Sequence, residues 1–430
     1  MKKKSISLFI LIFLILTVLV LLIWGKSALK KESPKESAGR KIIQASDLHY
    51  LSDKLTDHGQ LFEKYIKNSD GKTMEYSEEV LDAFCYSIIK EKPDVLVLTG
   101  DLTYNGEKIS HEDLTKKLNK IKEAGVKVLV IPGNHDINMR NSIKFAGDRY
   151  EEVASVDKEE FKNLYENFGY KGEISYDQAS MSYISSFNTR DQDGKEIDYR
   201  LLLLDVNGVE VEGFFPKSSL KWLEKELKNA EEDGAKVISF SHQNLLRHSM
   251  FERGYVINNA DEILKLFDAY GVKVNFSGHL HIQHVKEEGD ITEITTSAMS
   301  IYPSRYGVID LDRSKLNYSV DRVKVEAWAG ENEIKDANLS DFKKYARDFF
   351  NQTSYKDGLK KAGNSEDKEK MAAYFRDLNL SYFTGEMEDF NFNEDLEEKW
   401  SKAEIFFGLY IKSIKEDTRK NHTKAYLDLD

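Results

Sequence analysis

The sequence predicts an α/β fold, and three observations carry the prediction. Apolar runs of strand length lie at 42–45, 95–98, 126–131, 237–240 and 272–276. Amphipathic helical segments separate them, and each run stops at a short block of polar residues able to ligate a metal. In 111–124, Leu114, Leu118 and Ile121 recur at helical spacing and Gly125 closes the segment. In 216–230, Leu220, Leu223 and Leu227 repeat the pattern, with Pro216 at the start. Strands alternating with helices argue for parallel βαβ pairing. The run 201–204 reads as a further strand without an obvious ligand.

The blocks are Asp47-Leu48-His49, Gly100-Asp101, Gly133-Asn134-His135-Asp136, Ser241-His242 and Gly278-His279-Leu280-His281. In an open α/β sheet, ligands bind beyond the carboxyl ends of the strands, so the blocks should share one rim. Carboxylates, an amide oxygen and imidazoles suit Mn, Fe or Zn. Two divalent ions are the natural count, because a carboxylate can bridge two cations ~3.5–4 Å apart and offset their repulsion.

This ordered set resembles the calcineurin-like metallophosphoesterase superfamily over 41–310. Through 100–103 and 133–136 it is most similar to bacterial phosphoesterases of the class III cyclic-nucleotide phosphodiesterase branch. The resemblance implies a four-layer α/β/β/α sandwich. It gives Asp47, His49, Asp101 and His281 to one metal, and Asp101, Asn134, His242 and His279 to the other, with Asp101 bridging. It also implies a metal-bridging hydroxide as nucleophile, with His135 near the leaving oxygen as proton donor. Asp136 would raise and orient His135; a helix N-cap is its competing role. Gly100 to Tyr104 also fits the block of purple acid phosphatases whose tyrosine binds ferric iron. His49 already serves that position, so Tyr104 is expected to pack or support.

The remaining histidines carry no motif. His111 is expected to face solvent, His248 to be surface structure near the site, and His58, His284 and His422 to be non-ligands. Asn105-Gly106 reads as a tight turn in which Asn105 could reach a phosphate. The one cysteine, Cys85, forms no intrachain disulfide and lies on the apolar face of a helix.

With 430 residues the chain holds three parts: 1–40 as anchor and tether, 41–330 as the phosphoesterase domain, and 331–430 as a helical domain. The apolar run 6–24 after Lys2-Lys3-Lys4 is long enough to span a bilayer. The catalytic domain would then be extracytoplasmic on a cell-membrane anchor; a cleaved signal and secretion is the alternative. In 137–188, helices and a hairpin should border the site. Beyond 310, strands are expected at 315–320 and 323–328, then a bundle using Phe342, Tyr345, Phe349, Phe350, Met371, Tyr374, Phe375, Phe406, Leu409, Tyr410 and Ile414.

A net charge of −12 argues against a nucleic-acid docking surface, while a small phosphoester remains possible because bound metals supply positive charge locally. The expected function is phosphodiester hydrolysis, cyclic nucleotides being one candidate substrate. Alternatives are a phosphomonoesterase or nucleotide pyrophosphatase of the envelope, or a silent anchored binding protein.

Overall fold

Two twisted sheets lie face to face, with helices covering both outer faces. The structure is a computed structural model that describes residues 40–67, 70–190, 196–250 and 253–430. The expected anchor at 6–24 lies outside these residues; among those described, no helix is long and apolar enough to cross a membrane.

The first sheet runs in the order Lys424–Asp428, Lys315–Arg322, Arg305–Asp312, Arg40–Ala45, Val95–Thr99 and Lys127–Ile131. Its last three strands are parallel. The second sheet orders His284–Glu288, Ile291–Thr295, Val274–Ser277, Lys236–Ser241, Glu196–Leu204, Tyr183–Arg190 and Ser175–Tyr176. Ile42, Val97, Leu129 and Ile309 of one sheet meet Leu201, Leu203, Phe240 and Phe276 of the other in a single buried layer. On the outer face of the first sheet, helices Ser77–Glu91 and Lys108–Glu123 bury Val80, Phe84, Leu114 and Leu118. On the outer face of the second, helices Lys217–Asp233 and Ala260–Ala269 bury Leu223, Leu227, Ile263 and Phe267. The expected four-layer sandwich follows directly. Strands buried on both faces read as continuous apolar runs, as 95–98 and 128–131 do.

Cys85 is buried, and burial pushes its thiol up to about 12, as a structural thiol requires. The insertion 137–188 holds the hairpin Ile143–Ala146 with Arg149–Glu152 and the helix Lys158–Leu164. The latter is capped by a reciprocal pair, Asp157 and Glu160.

The C-terminal part departs from expectation in three ways. The stretch 323–328 is not a strand; Val325–Glu331 is helical and buries Val325 and Ala329 in the outer helix layer. Tertiary burial there overrides the β preference of valine. The bundle forms from Phe342–Ala362, Lys368–Thr384, Glu394–Ala403 and Ile405–Lys415 around Met371, Phe375, Trp400, Phe407 and Tyr410. Phe406 and Leu409, expected inside, are 43% and 51% exposed. Finally, the chain end returns to the sandwich: Lys424–Asp428 pairs antiparallel with Lys315–Arg322 as an edge strand of the first sheet. Phe342 and Ala346 also belong to the core cluster of the outer helix layer. Cutting after Asp336 therefore removes core side chains and an edge strand together. The truncated chain is expected to aggregate on expression, and recovery of a soluble monomer with the thermal midpoint of the full chain would refute this packing.

Candidate metal centre

All five blocks meet where the strands of both sheets end. Asp47 follows Arg40–Ala45, Asp101 follows Val95–Thr99, Asn134 follows Lys127–Ile131, His242 follows Lys236–Ser241, and His279 follows Val274–Ser277. Asp47, His49, Asp101, His279 and His281 all have left-handed backbone, with φ between 43° and 69°. Such conformations cost of order 1–3 kcal/mol each for non-glycine residues and persist where the surroundings dictate them. The glycines of the blocks are needed for close approach. A Cβ on Gly133 would lie 2.2 Å from the Asp101 carboxylate, and one on Gly278 would lie 1.8 Å from Ser46 Oγ.

Two ligand groups share one carboxylate. Asp47, His49, Asp101 and His281 bring one donor atom each within 4.8 Å of one another, and so do Asp101, His242 and His279. Asp101 Oδ2 lies 3.6 Å from His49 Nε2, while its Oδ1 lies 3.3 Å from His242 Nε2. His281 Nε2 is 3.3 Å from Asp47 Oδ1. Asn134 Oδ1 lies 3.0 Å from His242 Nε2, completing the second group.

The donor set fits cations. His242 Nδ1–H donates to Thr99 O, and His279 Nε2–H donates to Gly254 O, so the neutral rings present Nε2 and Nδ1 as lone pairs. Those two nitrogens stand 3.2 Å apart, and His49 Nε2 and His281 Nε2 stand 3.1 Å apart. At the His242–His279 pair, where both other nitrogens donate to carbonyls, two facing lone pairs call for a proton or a cation between them. Asp47 Oδ1 and His49 Nδ1 are buried without a hydrogen-bond partner. Burial alone would lower His242, but the Asp101 carboxylate overrides it and lifts the imidazole to about 9. Burial would likewise raise Asp101, yet His242 and His49 hold it well below the usual carboxylate range. A bound cation replaces such protons as the balancing charge.

His135 lies at the edge of the first group, its ring centroid 5.1 Å from that of His49. Its backbone N–H donates to Asp101 Oδ1 at 2.9 Å. Its Nδ1 faces Tyr104 O at 3.1 Å and Asn105 Oδ1 at 3.0 Å, so Nδ1 carries a proton.

The expected link between Asp136 and His135 is absent. Asp136 instead accepts from the backbone N–H groups of Leu102, Thr103 and Gly133 and from Thr103 Oγ1. It splices the loop of Asp101 to the loop of Asn134, and burial raises it to about 7. Adjacent residues in this turn point apart, so sequence neighbourhood misled. Asn105 takes the orienting role and sits 30 positions from His135, a separation no local motif reveals. Asn105→Ala is expected to lower turnover on the order of 10²-fold by loosening His135, with metal content retained; unchanged turnover would remove Asn105 from the site.

Glu107 supports Asn105, accepting its backbone N–H at 3.0 Å. Burial pushes this carboxyl from 4.5 up to about 7. Between those values the folded chain holds a proton that the unfolded chain has lost, so stability falls as pH rises through that window. Glu107→Gln abolishes the titration. The variant should match the parent at pH 4 and exceed it at pH 8 by roughly 3 kcal/mol at most. Parallel thermal midpoints at both pH values would contradict this.

Two further histidines differ from expectation. His111 is fully buried, with its ring nitrogens on Thr103 Oγ1, Asp136 O and Tyr165 Oη, and burial lowers it to about 3. His248 is also buried, its Nδ1 3.0 Å from His284 Nδ1. His284 Nε2 donates to Asp417 at 2.6 Å, and His284 stacks on His422 with centroids 4.0 Å apart. His422 Nδ1 accepts the Val285 N–H, which leaves its proton on Nε2. His284, Asp417 and His422, which carry no motif in the sequence, thus also bring one donor atom each within 4.8 Å of one another, joined here by hydrogen bonding and stacking. Through these contacts the C-terminal Asp417 fastens the loop that follows His242.

Tyr104 packs against Tyr65. Its hydroxyl bonds that of Tyr65 at 2.6 Å, and burial raises the phenol.

Known proteins resemble this chain in sequence and fold. The family model for calcineurin-like phosphoesterases matches residues 40–283. A second model, the C-terminal domain of cyclic nucleotide phosphodiesterase, matches residues 324–421. A protein of Coxiella burnetii named probable cyclic nucleotide phosphodiesterase is 24% identical over 243 residues, covering 56% of this chain and 75% of that protein. A protein of the same name from Vesicomyosocius okutanii is 25% identical over 191 residues, covering 44% of this chain and 62% of the relative. A dimetal phosphatase from Danio rerio superposes with a TM-score of 0.47 at 13% identity, over 65% of this chain and 95% of that one. The chain belongs to the calcineurin-like phosphoesterase family and is a hydrolase of phosphoester bonds.

Proposed function

We propose that this protein is a dinuclear metal-dependent phosphodiesterase acting on small diesters, with cyclic nucleotides as the leading candidates. The carrying observation is Asp101, whose two oxygens face separate ligand groups while its Oδ1 also anchors the backbone of His135. The names of the two bacterial relatives and the match of the C-terminal domain support a cyclic-nucleotide substrate.

Two divalent ions (Mn, Fe or Zn) held by these ligands would supply positive charge to the phosphoryl oxygens and make water acidic enough to attack near neutral pH. The residues of the chain do the rest. Asp47, Asp101, Asn134 and the four ligand imidazoles fix the distance between the two positions. Attack of water on phosphorus expels the ester alcohol, and the leaving oxygen needs a proton. We assign this proton to His135: Asn105 and Tyr104 hold its Nδ1–H, and Nε2 takes a second proton from solvent and passes it to the leaving oxygen. Asp136 and His111 keep the two loops in register without touching the reaction.

A panel of bis-p-nitrophenyl phosphate, p-nitrophenyl phosphate and cyclic AMP, each with Mn, Zn or Fe, tests the reading. Diesters should be turned over faster than the monoester. Faster monoester hydrolysis would favour a phosphomonoesterase, and no hydrolysis with any metal would leave a binding protein.

A further inference from the structure

A cavity of about 320 Å³ opens beside the first ligand group, bounded by Tyr65, Tyr104, Tyr150, Lys64, Lys72 and Asp70. Tyr104 connects its wall to the site. The Tyr104 ring is 6.5 Å from that of His49, and the Tyr104 carbonyl holds His135 Nδ1.

The aromatic wall is built rather than incidental. Tyr65 lies edge-on to Tyr104 at 6.0 Å and to Tyr150 at 6.2 Å. Phe145, fully buried behind them, packs on Tyr65 at 5.1 Å and on Tyr150 at 5.5 Å. Two insertions meet here: the helix Gln60–Ile66 and the hairpin strand Arg149–Glu152. Tyr150 nevertheless remains 48% exposed, with its ring on the cavity rim. Large aromatic surface left at the mouth of a polar cavity is the pattern expected where planar rings stack.

The charges narrow the ligand. Two lysines and one aspartate line the cavity, in a chain whose net charge is −12. An acyl chain there would draw the charged ends of Lys64, Lys72 and Asp70 out of water. A volume near the lower end of small-molecule sites admits one compact group.

We infer that this cavity is the subsite for the nucleobase of a nucleotide ester, with Tyr65, Tyr104 and Tyr150 as its walls and the phosphate directed to the Asp101 centre. The inference rests on the phosphodiesterase reading above and narrows its substrate to base-bearing diesters.

Binding distinguishes the two. Calorimetric titration of the Mn-loaded full chain with AMP and with ribose 5-phosphate isolates what the base contributes. AMP should bind roughly 5- to 150-fold tighter, the range that stacking of one base provides. Tyr150→Ala should bring that ratio close to one, and Tyr150→Phe, which keeps the ring, should restore it. A ratio near one in the unaltered chain, a ratio indifferent to Tyr150→Ala, or no detectable AMP binding would each overturn the subsite. Hydrolysis of bis-p-nitrophenyl phosphate alongside a ratio of one would sink the subsite and leave the phosphodiesterase reading standing. A high, Tyr150-dependent ratio without any diester hydrolysis would do the reverse.

Discussion

Replacement of Asp101 by alanine is expected to empty the metal centre and abolish turnover. Among the described residues, the carboxylate alone belongs to both ligand groups, with one oxygen 3.6 Å from His49 and the other 3.3 Å from His242. Without it, four imidazoles would crowd two cations with Asp47 as the remaining negative charge. The loss of several kcal/mol of charge stabilisation corresponds to a rate decrease on the order of 10³-fold or more. Asp101→Asn separates charge from shape, because the amide oxygen can still accept the His135 N–H. It should lose metal nearly as severely. Elemental analysis of either variant showing two ions per chain would remove Asp101 from its bridging position.

His135→Ala is expected to behave in the opposite way. The ring contacts Asn105 and Tyr104 and lies outside both ligand groups. Turnover should therefore fall on the order of 10²–10⁴-fold while metal content stays near that of the parent. The deficit should be largest for esters with poorly acidic leaving alcohols and smaller for p-nitrophenyl esters, whose leaving group needs little protonation. Metal loss equal to that of Asp101→Ala would make His135 a ligand instead of an acid.

The candidate ligand positions were legible because each is a local event. A strand ends, a glycine lets the chain pass close to a neighbour, and a carboxylate or imidazole follows. Asp47, His49, Asp101, Asn134, His242, His279 and His281 all meet, as the five blocks implied. Supporting contacts were less visible because they are made across loops. Asp136 turned from His135 to the backbone of Leu102 and Thr103, and Asn105 approached from the opposite loop. His111 could have been found, since it precedes Leu114 by three positions and Leu118 by seven on the buried helical face. The chain end could not. Lys424–Asp428 alternates half-buried and exposed residues, a weak signal whose pairing partner lies over a hundred positions upstream.

Metal titration tests the central claim most directly. The full chain is stripped with chelator, verified metal-free by elemental analysis, and assayed on a diester as Mn is returned stepwise. Hydrolysis should be negligible in the stripped protein and should rise to saturation at two ions per chain. Full turnover in the metal-free protein, or saturation at a single ion, would contradict it.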